Sequence, residues 1–218
     1  MNASKVDSLR YLRAVPGGPE ALASDEEARV LGALNQRIAG AQSLDEILKW
    51  LFESTRVILP CDRLSVAFLS DDRERLVSYR TLALYEPLRL KDGFSGDLRG
   101  SSLAEVIGHG EPRIIDDLAA YQARHPASWA TKLLVEEGIR SSMTCPLSVE
   151  GRIAGVLFWS SRTPSAYAER HARLHQLVAE RLSQAVEKAY RIEQLTAANK
   201  AYLEMLGFVS HELKNPLA

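Results

Sequence analysis

The sequence predicts an α+β domain, an antiparallel sheet of about five to six strands with flanking helices, followed by a long C-terminal coiled-coil helix. Three observations predict it. Leu64, Val66 and Phe68 alternate with Ser65, Ala67 and Leu69, the mark of a strand. Two apolar-rich stretches, Ser141 to Val149 and Ile153 to Ser160, meet at the turn dipeptide Glu150-Gly151. From about Tyr167 to Asn215 a helical pattern runs without a proline, on the order of 70 Å of helix.

Taken in order, the chain opens with an arm, residues 1–23, broken by Pro16-Gly17-Gly18-Pro19. Ser24 is read as the N-cap of a first helix, with Asp25, Glu26 and Glu27 at its positive end. Ser43-Leu-Asp-Glu46 has the capping-box spacing and opens a second helix. The strand from Asp62 and a second from Leu76 to Leu84 flank the polar turn Asp71-Asp72-Arg73-Glu74 and form a hairpin. Tyr85 to Gly100 reads as a long loop. Ser102-Leu-Ala-Glu105 repeats the capping-box spacing before a short helix. A short strand at Arg113-Ile-Ile, two short helices and the central hairpin follow. The expectation is that the helices gather on one side of the sheet. Ser165 is read as the cap of the long helix.

The first half of that helix carries Leu174, Leu177, Leu182 and Val186, suited to packing on the sheet. The second half carries Leu195, Ala198, Tyr202, Met205 and Val209 at alternating spacings of three and four. That is a coiled-coil seam, and it predicts a parallel homodimer.

Composition excludes several classes. Lys and Arg nearly balance Asp and Glu, for a net charge of −1, so there is no nucleic-acid footprint. No apolar run approaches the roughly 18 residues that span a bilayer. Met1 leads into a polar, mixed-charge segment rather than a signal peptide, so a cytoplasmic protein is expected. Cys61 and Cys145 form no metal or redox spacing and are expected as buried apolar residues.

The last residues carry the chemistry. On a helix His211 lies off the apolar stripe of Val209, Leu213 and Leu217, and Asn215 shares its face. Pro216 has no N–H for the Glu212 carbonyl and should bend the helix. The string Ser210-His-Glu-Leu-Lys-Asn-Pro-Leu217 resembles the phospho-acceptor box of sensor histidine kinases. The resemblance implies that His211 accepts a phosphoryl group from ATP, that Glu212 assists as base or hydrogen-bond acceptor, and that Asn215 helps position water or the acceptor. It covers about a dozen residues, and ATP and Mg are expected only for a longer parent kinase. This fragment alone should be inactive.

A second resemblance covers most of the chain. Leu59-Pro-Cys-Asp-Arg-Leu-Ser-Val-Ala-Phe-Leu69, Pro112-Arg-Ile-Ile-Asp-Asp117 and Ser141-Ser-Met-Thr-Cys-Pro-Leu-Ser-Val-Glu-Gly-Arg-Ile-Ala-Gly-Val-Leu157 together resemble a GAF domain. The division that follows is an arm at 1–23, a GAF sensory domain at 24–188, and a signalling helix with the start of the phospho-acceptor domain at 189–218. GAF domains are sensory modules with a cavity between one sheet face and the connecting segments. Phe94, His109, Tyr121, Trp129 and Met143 are the large side chains expected to line it.

Neither cysteine is followed by His, so bilin attachment is not expected, and the Asn-Lys-Phe-Asp-Glu signature of cyclic-nucleotide binders is absent. No haem ligand stands out beyond the bare presence of His109 and His125. His171 and His175 are expected as a solvated pair, with no metal. The implied function is the sensory and dimerisation part of a two-component sensor histidine kinase, acting on a response regulator. A ligand-independent GAF dimerisation module is the alternative.

Overall fold

The computed structural model describes residues 9–12, 25–40 and 43–214. In chain order the elements are β1 (Leu9–Tyr11), α1 (Asp25–Gly40), α2 (Leu44–Thr55), β2 (Arg63–Leu69), β3 (Arg75–Ala83) and β4 (Ser95–Asp97). They continue with α3 (Leu103–His109), β5 (Arg113–Ile115), α4 (Leu118–Arg124), α5 (Trp129–Glu136), β6 (Ser141–Val149), β7 (Arg152–Ser161) and α6 (Glu169–Lys214). The strands form one sheet of seven, in the order β1-β5-β6-β7-β2-β3-β4, with every pair antiparallel.

The two hairpins form where alternation and turn chemistry place them. The β6–β7 turn holds Glu150 at φ 51° and Gly151 at φ 76°, the two consecutive positive φ values of a turn that matches strand twist. In α2, Ser43 caps as expected, its hydroxyl accepting from the Glu46 amide at 3.3 Å. Asp117 does the same for α4, accepting from the amides of Ala119 and Ala120.

Parity along the strands divides the sheet into two faces. On one, Leu64, Val66, Ile114, Met143, Leu157 and Trp159 pack against α1, α2 and the first half of α6 in one large core. On the other, Ala67, Leu76 and Val156 pack with Val106 of α3, while Ile115 packs with Leu118 and Tyr121 of α4. The helices therefore cover both faces rather than one. Too much of the second face is polar for a single dry core, and the short helices stand off it around a cavity.

Several expectations are corrected. The sheet has seven strands, because β1 lies within the expected arm and β4 within the expected loop. β1 is held on the sheet by Arg10, whose guanidinium bonds both oxygens of Asp116 at 2.8 and 2.7 Å. The capping box at Ser102 does not form. Ser102 has helical φ and ψ, and its hydroxyl is turned toward Arg113 and Tyr121 instead. Ser165 is not the cap of α6, which starts at Glu169. It sits in a turn at φ 52°, and its N–H donates to the Asp116 carbonyl.

His171 and His175 are not solvated. They are 7% and 0% exposed and lie on the same buried stripe of α6 as Val178 and Leu182. His175 stacks on Trp159 at 4.3 Å, and neither of its ring nitrogens has a hydrogen-bond partner among the described residues. Burial pushes this imidazole down to about 3, against a smaller opposing pull from the Leu157 backbone, so it stays neutral in the core.

α6 is 46 residues long and continues through Gly207. Among the positions whose burial is described, Val186 is the last buried one, whereas Leu195, Tyr202, Leu203 and Met205 are exposed. His211 and Glu212 fall within α6, while Asn215 and Pro216 lie outside the described residues, as do Ser24 and most of the arm. No helix among the described residues is long and apolar enough to cross a membrane.

Candidate functional site

The cavity has a volume of about 810 Å³ and is floored by the second sheet face. Two ladders of side chains cross that floor. The first runs Ile115, Ser142, Ser160, Arg63 across β5, β6, β7 and β2. The second runs Arg113, Thr144, Phe158, Ser65, Thr81 and reaches β3. Each strand presents these residues at alternate positions, because the intervening ones face the core. The segment from Leu90 to Leu103, with β4 inside it, makes one wall, and α4 and α5 make the other.

Two arginines rise from this floor, both buried. Arg63, 2% exposed, has its charge matched: its Nη1 donates to Glu137 Oε2 at 2.7 Å and its Nη2 to the Leu90 carbonyl at 2.8 Å. Glu137 is saturated as an acceptor. It also takes the Tyr85 hydroxyl at 2.7 Å and the amides of Arg89 and Leu90 at 2.6 and 2.7 Å. One carboxylate thus ties α5 to β2 and to the loop that forms the cavity wall. Burial, followed by the bond to Glu137, raises the Tyr85 phenol, which remains the donor.

Arg113, 5% exposed, has no such partner. Its Nη1 donates to Ser102 Oγ at 2.6 Å and its Nη2 to Thr144 Oγ1 at 2.9 Å, both neutral hydroxyls. Among the described residues its Nε has no partner and no carboxylate pairs with it. Burial lowers it to about 10, so it still carries its charge at neutral pH.

Of the residues expected to line the cavity, Phe94, Tyr121 and Trp129 do so. Tyr121 is buried, stacks on His125 at 4.1 Å and shares a hydrogen bond with Ser102. Trp129 is largely exposed beneath Lys132, and Phe94 is half-buried. His109 and Met143 are not at the cavity. His109 is exposed on α3 beside Glu105 at 3.0 Å, and Met143 has the strand parity of the opposite face, under α6.

Sequence reasoning missed Arg63, Arg113 and the serines between them. The available signal was polar residues at alternate positions of otherwise apolar central strands: Ser65 in β2, Ser142 and Thr144 in β6, Ser160 in β7. Cys61 and Cys145 are buried in the core on the far face, so neither is placed to attach a bilin in this cavity. Among the described residues no cluster of three or more His, Cys, Asp or Glu is arranged to hold a metal ion.

Comparison with solved structures gives the same architecture. The GAF domain of a Coxiella burnetii phosphoenolpyruvate-protein phosphotransferase matches with a TM-score of 0.64 and 20% identity, over 78% of this chain and 99% of that one. A phycoerythrobilin-bound GAF domain of a cyanobacterial phytochrome matches with a TM-score of 0.61 and 15% identity, over 77% of this chain and 98% of that one. The free methionine-R-sulfoxide reductase of Neisseria meningitidis, in complex with its substrate, matches with a TM-score of 0.59 and 20% identity, over 78% of this chain and 95% of that one. These identities speak to the fold alone. No curated protein matches the chain. The model of the GAF family matches residues 41–187, from the approach to α2 through the sheet-packed part of α6. The chain therefore belongs to the GAF domain family, whose members serve as small-molecule sensing or regulatory domains in many signalling proteins.

Proposed function

We propose that this chain is the sensory and dimerisation part of a two-component sensor histidine kinase. The GAF domain senses a small ligand or partner and controls autophosphorylation of His211, from which the phosphoryl group passes to an aspartate on a response regulator. The observation that carries the reading is the string from Ser210 to Leu217, whose His211 and Glu212 fall on the same helix that packs on the sensory sheet. A change in the sheet can bias the packing of α6 without crossing a flexible joint.

The exposed side chains of Leu195, Tyr202 and Met205 recur at spacings of seven and three, which supports pairing of two such helices in a homodimer. ATP and Mg would be supplied by a catalytic domain of the parent kinase, and this chain alone is not expected to label itself. The open cavity, largely apolar with a few polar groups on its floor, supports a liganded sensor over a GAF core that only holds two helices together.

The test uses the full-length parent. With γ-labelled ATP, the wild type acquires an acid-labile, alkali-stable label, and His211→Gln loses it while retaining its fold by circular dichroism. Label of the same stability on His211→Gln overturns the acceptor assignment.

A further inference from the structure

The cavity floor carries two buried arginines in unequal states. Arg63 meets a saturated carboxylate. Arg113 meets two neutral hydroxyls, and a guanidinium has more N–H donors than those can absorb. Its Nε is left without a partner among the described residues. A buried, uncompensated charge is costly, and proteins keep one where something else neutralises it. Ser78 Oγ, on the same cavity lining, is a second buried polar atom without a partner among the described residues. The carboxylate among the lining residues, Asp97, is exposed and engaged with the Arg99 backbone and guanidinium. Arg99 and Arg124 also line the cavity but are exposed, and Arg99 is paired with Glu74 and Asp97, so the unmatched positive charge of the buried floor is that of Arg113. Much of the remaining wall is apolar: Leu76, Leu98, Leu103, Ile115 and Phe158.

We propose that the GAF cavity binds a small organic monocarboxylate, its carboxylate seated on Arg113 and its apolar body against Leu76, Leu98, Leu103 and Phe158. The proposal rests on the reading of the cavity as the sensory pocket. One unmatched cation calls for one negative charge. A phosphate monoester, at nearly two charges at neutral pH, would bury an excess. A neutral molecule would leave Arg113 unmatched. The cavity volume of about 810 Å³ suits a ligand of this kind with room for ordered water.

Thermal unfolding of this chain tests it, with sodium phenylacetate, indole-3-acetate and decanoate as probes and phenylacetamide and phenyl phosphate as controls. At least one carboxylate is expected to raise Tm by about 5 °C at saturation, well above the shift from either control. Arg113→Met is expected to weaken that binding about 30-fold or more, since an ion pair loses one partner, and Arg113→Lys to retain part of it. No shift with any carboxylate, an equal shift with phenylacetamide, a larger one with phenyl phosphate, or an unchanged shift in Arg113→Met each overturns the proposal. Should Arg113→Met fail to fold, the comparison of probes on the wild type still decides. The readout is binding to this chain, so it stands or falls separately from phosphoryl transfer to His211.

Discussion

Glu137→Ala is the substitution whose cost follows most directly from the geometry. The side chain is fully buried and accepts four hydrogen bonds, from Arg63, Tyr85, Arg89 and Leu90, all between 2.6 and 2.7 Å. Removing it strands the Arg63 guanidinium, 2% exposed, with the Leu90 carbonyl at 2.8 Å and a long contact to Thr81 at 3.4 Å. Breaking a buried pair from one side costs about 3–5 kcal/mol, because the surviving charge is buried unmatched. For a domain of this size that lowers Tm by roughly 6–20 °C.

Differential scanning calorimetry measures it directly. Arg63→Met should cost less, because Glu137 keeps its Tyr85, Arg89 and Leu90 donors. The double variant Arg63→Met/Glu137→Leu should recover a large part of the loss, since apolar replacement of both partners leaves no lone charge. If Glu137→Ala melts within about 2 °C of the wild type, Arg63 is finding another anion or water, and the pairing argument is wrong.

Two further predictions concern the core. His175 is neutral in the fold, with its proton affinity pushed down to about 3 from 6.5, so unfolding takes up a proton between those values. Its stabilising contribution is intact above pH 6.5 and is lost as pH falls, by up to about 1.4 kcal/mol per pH unit. His175→Leu should flatten that part of a urea-unfolding pH profile, and an unchanged slope would refute it. Gly155 of β7 is in register with Phe68 of β2. A Cβ there would press into the Ala67 carbonyl oxygen and come within 2.8 Å of Phe68 Cδ1. Gly155→Ala should cost about 3 kcal/mol in denaturant titration, and a neutral result would mean the strands separate easily.

The hairpins were legible because their signals are local. Leu64, Val66 and Phe68 alternate, and Glu150-Gly151 supplies the positive φ values of a tight turn. β1 and β4 were not legible. Ser95-Gly96-Asp97 has no apolar residue to mark a buried strand, and Leu9–Tyr11 is a strand only because β5 offers it an edge. At the cavity, size alone pointed to Phe94, Tyr121 and Trp129, and size misled at Met143, where parity decides the face. Arg113 sits between apolar strand neighbours and looks like a solvent-side residue until β6 and Ser102 close over it. His171 and His175 share their helical stripe with Val178 and Leu182, so the spacing already assigned them to the interior.

The attachment of β1 has a practical outcome. It lies at the margin of the sheet, and Tyr11 is in register with Arg113. Arg10 also reaches the Tyr167 carbonyl at 3.1 Å, just ahead of α6, and the Tyr11 hydroxyl reaches the Ser102 carbonyl at 3.1 Å. A shortened protein begun at residue 41, where the family match starts, would be stripped of this hem. The bare backbone of β5 would then invite another chain to stitch on, beside the very arginine a ligand would need.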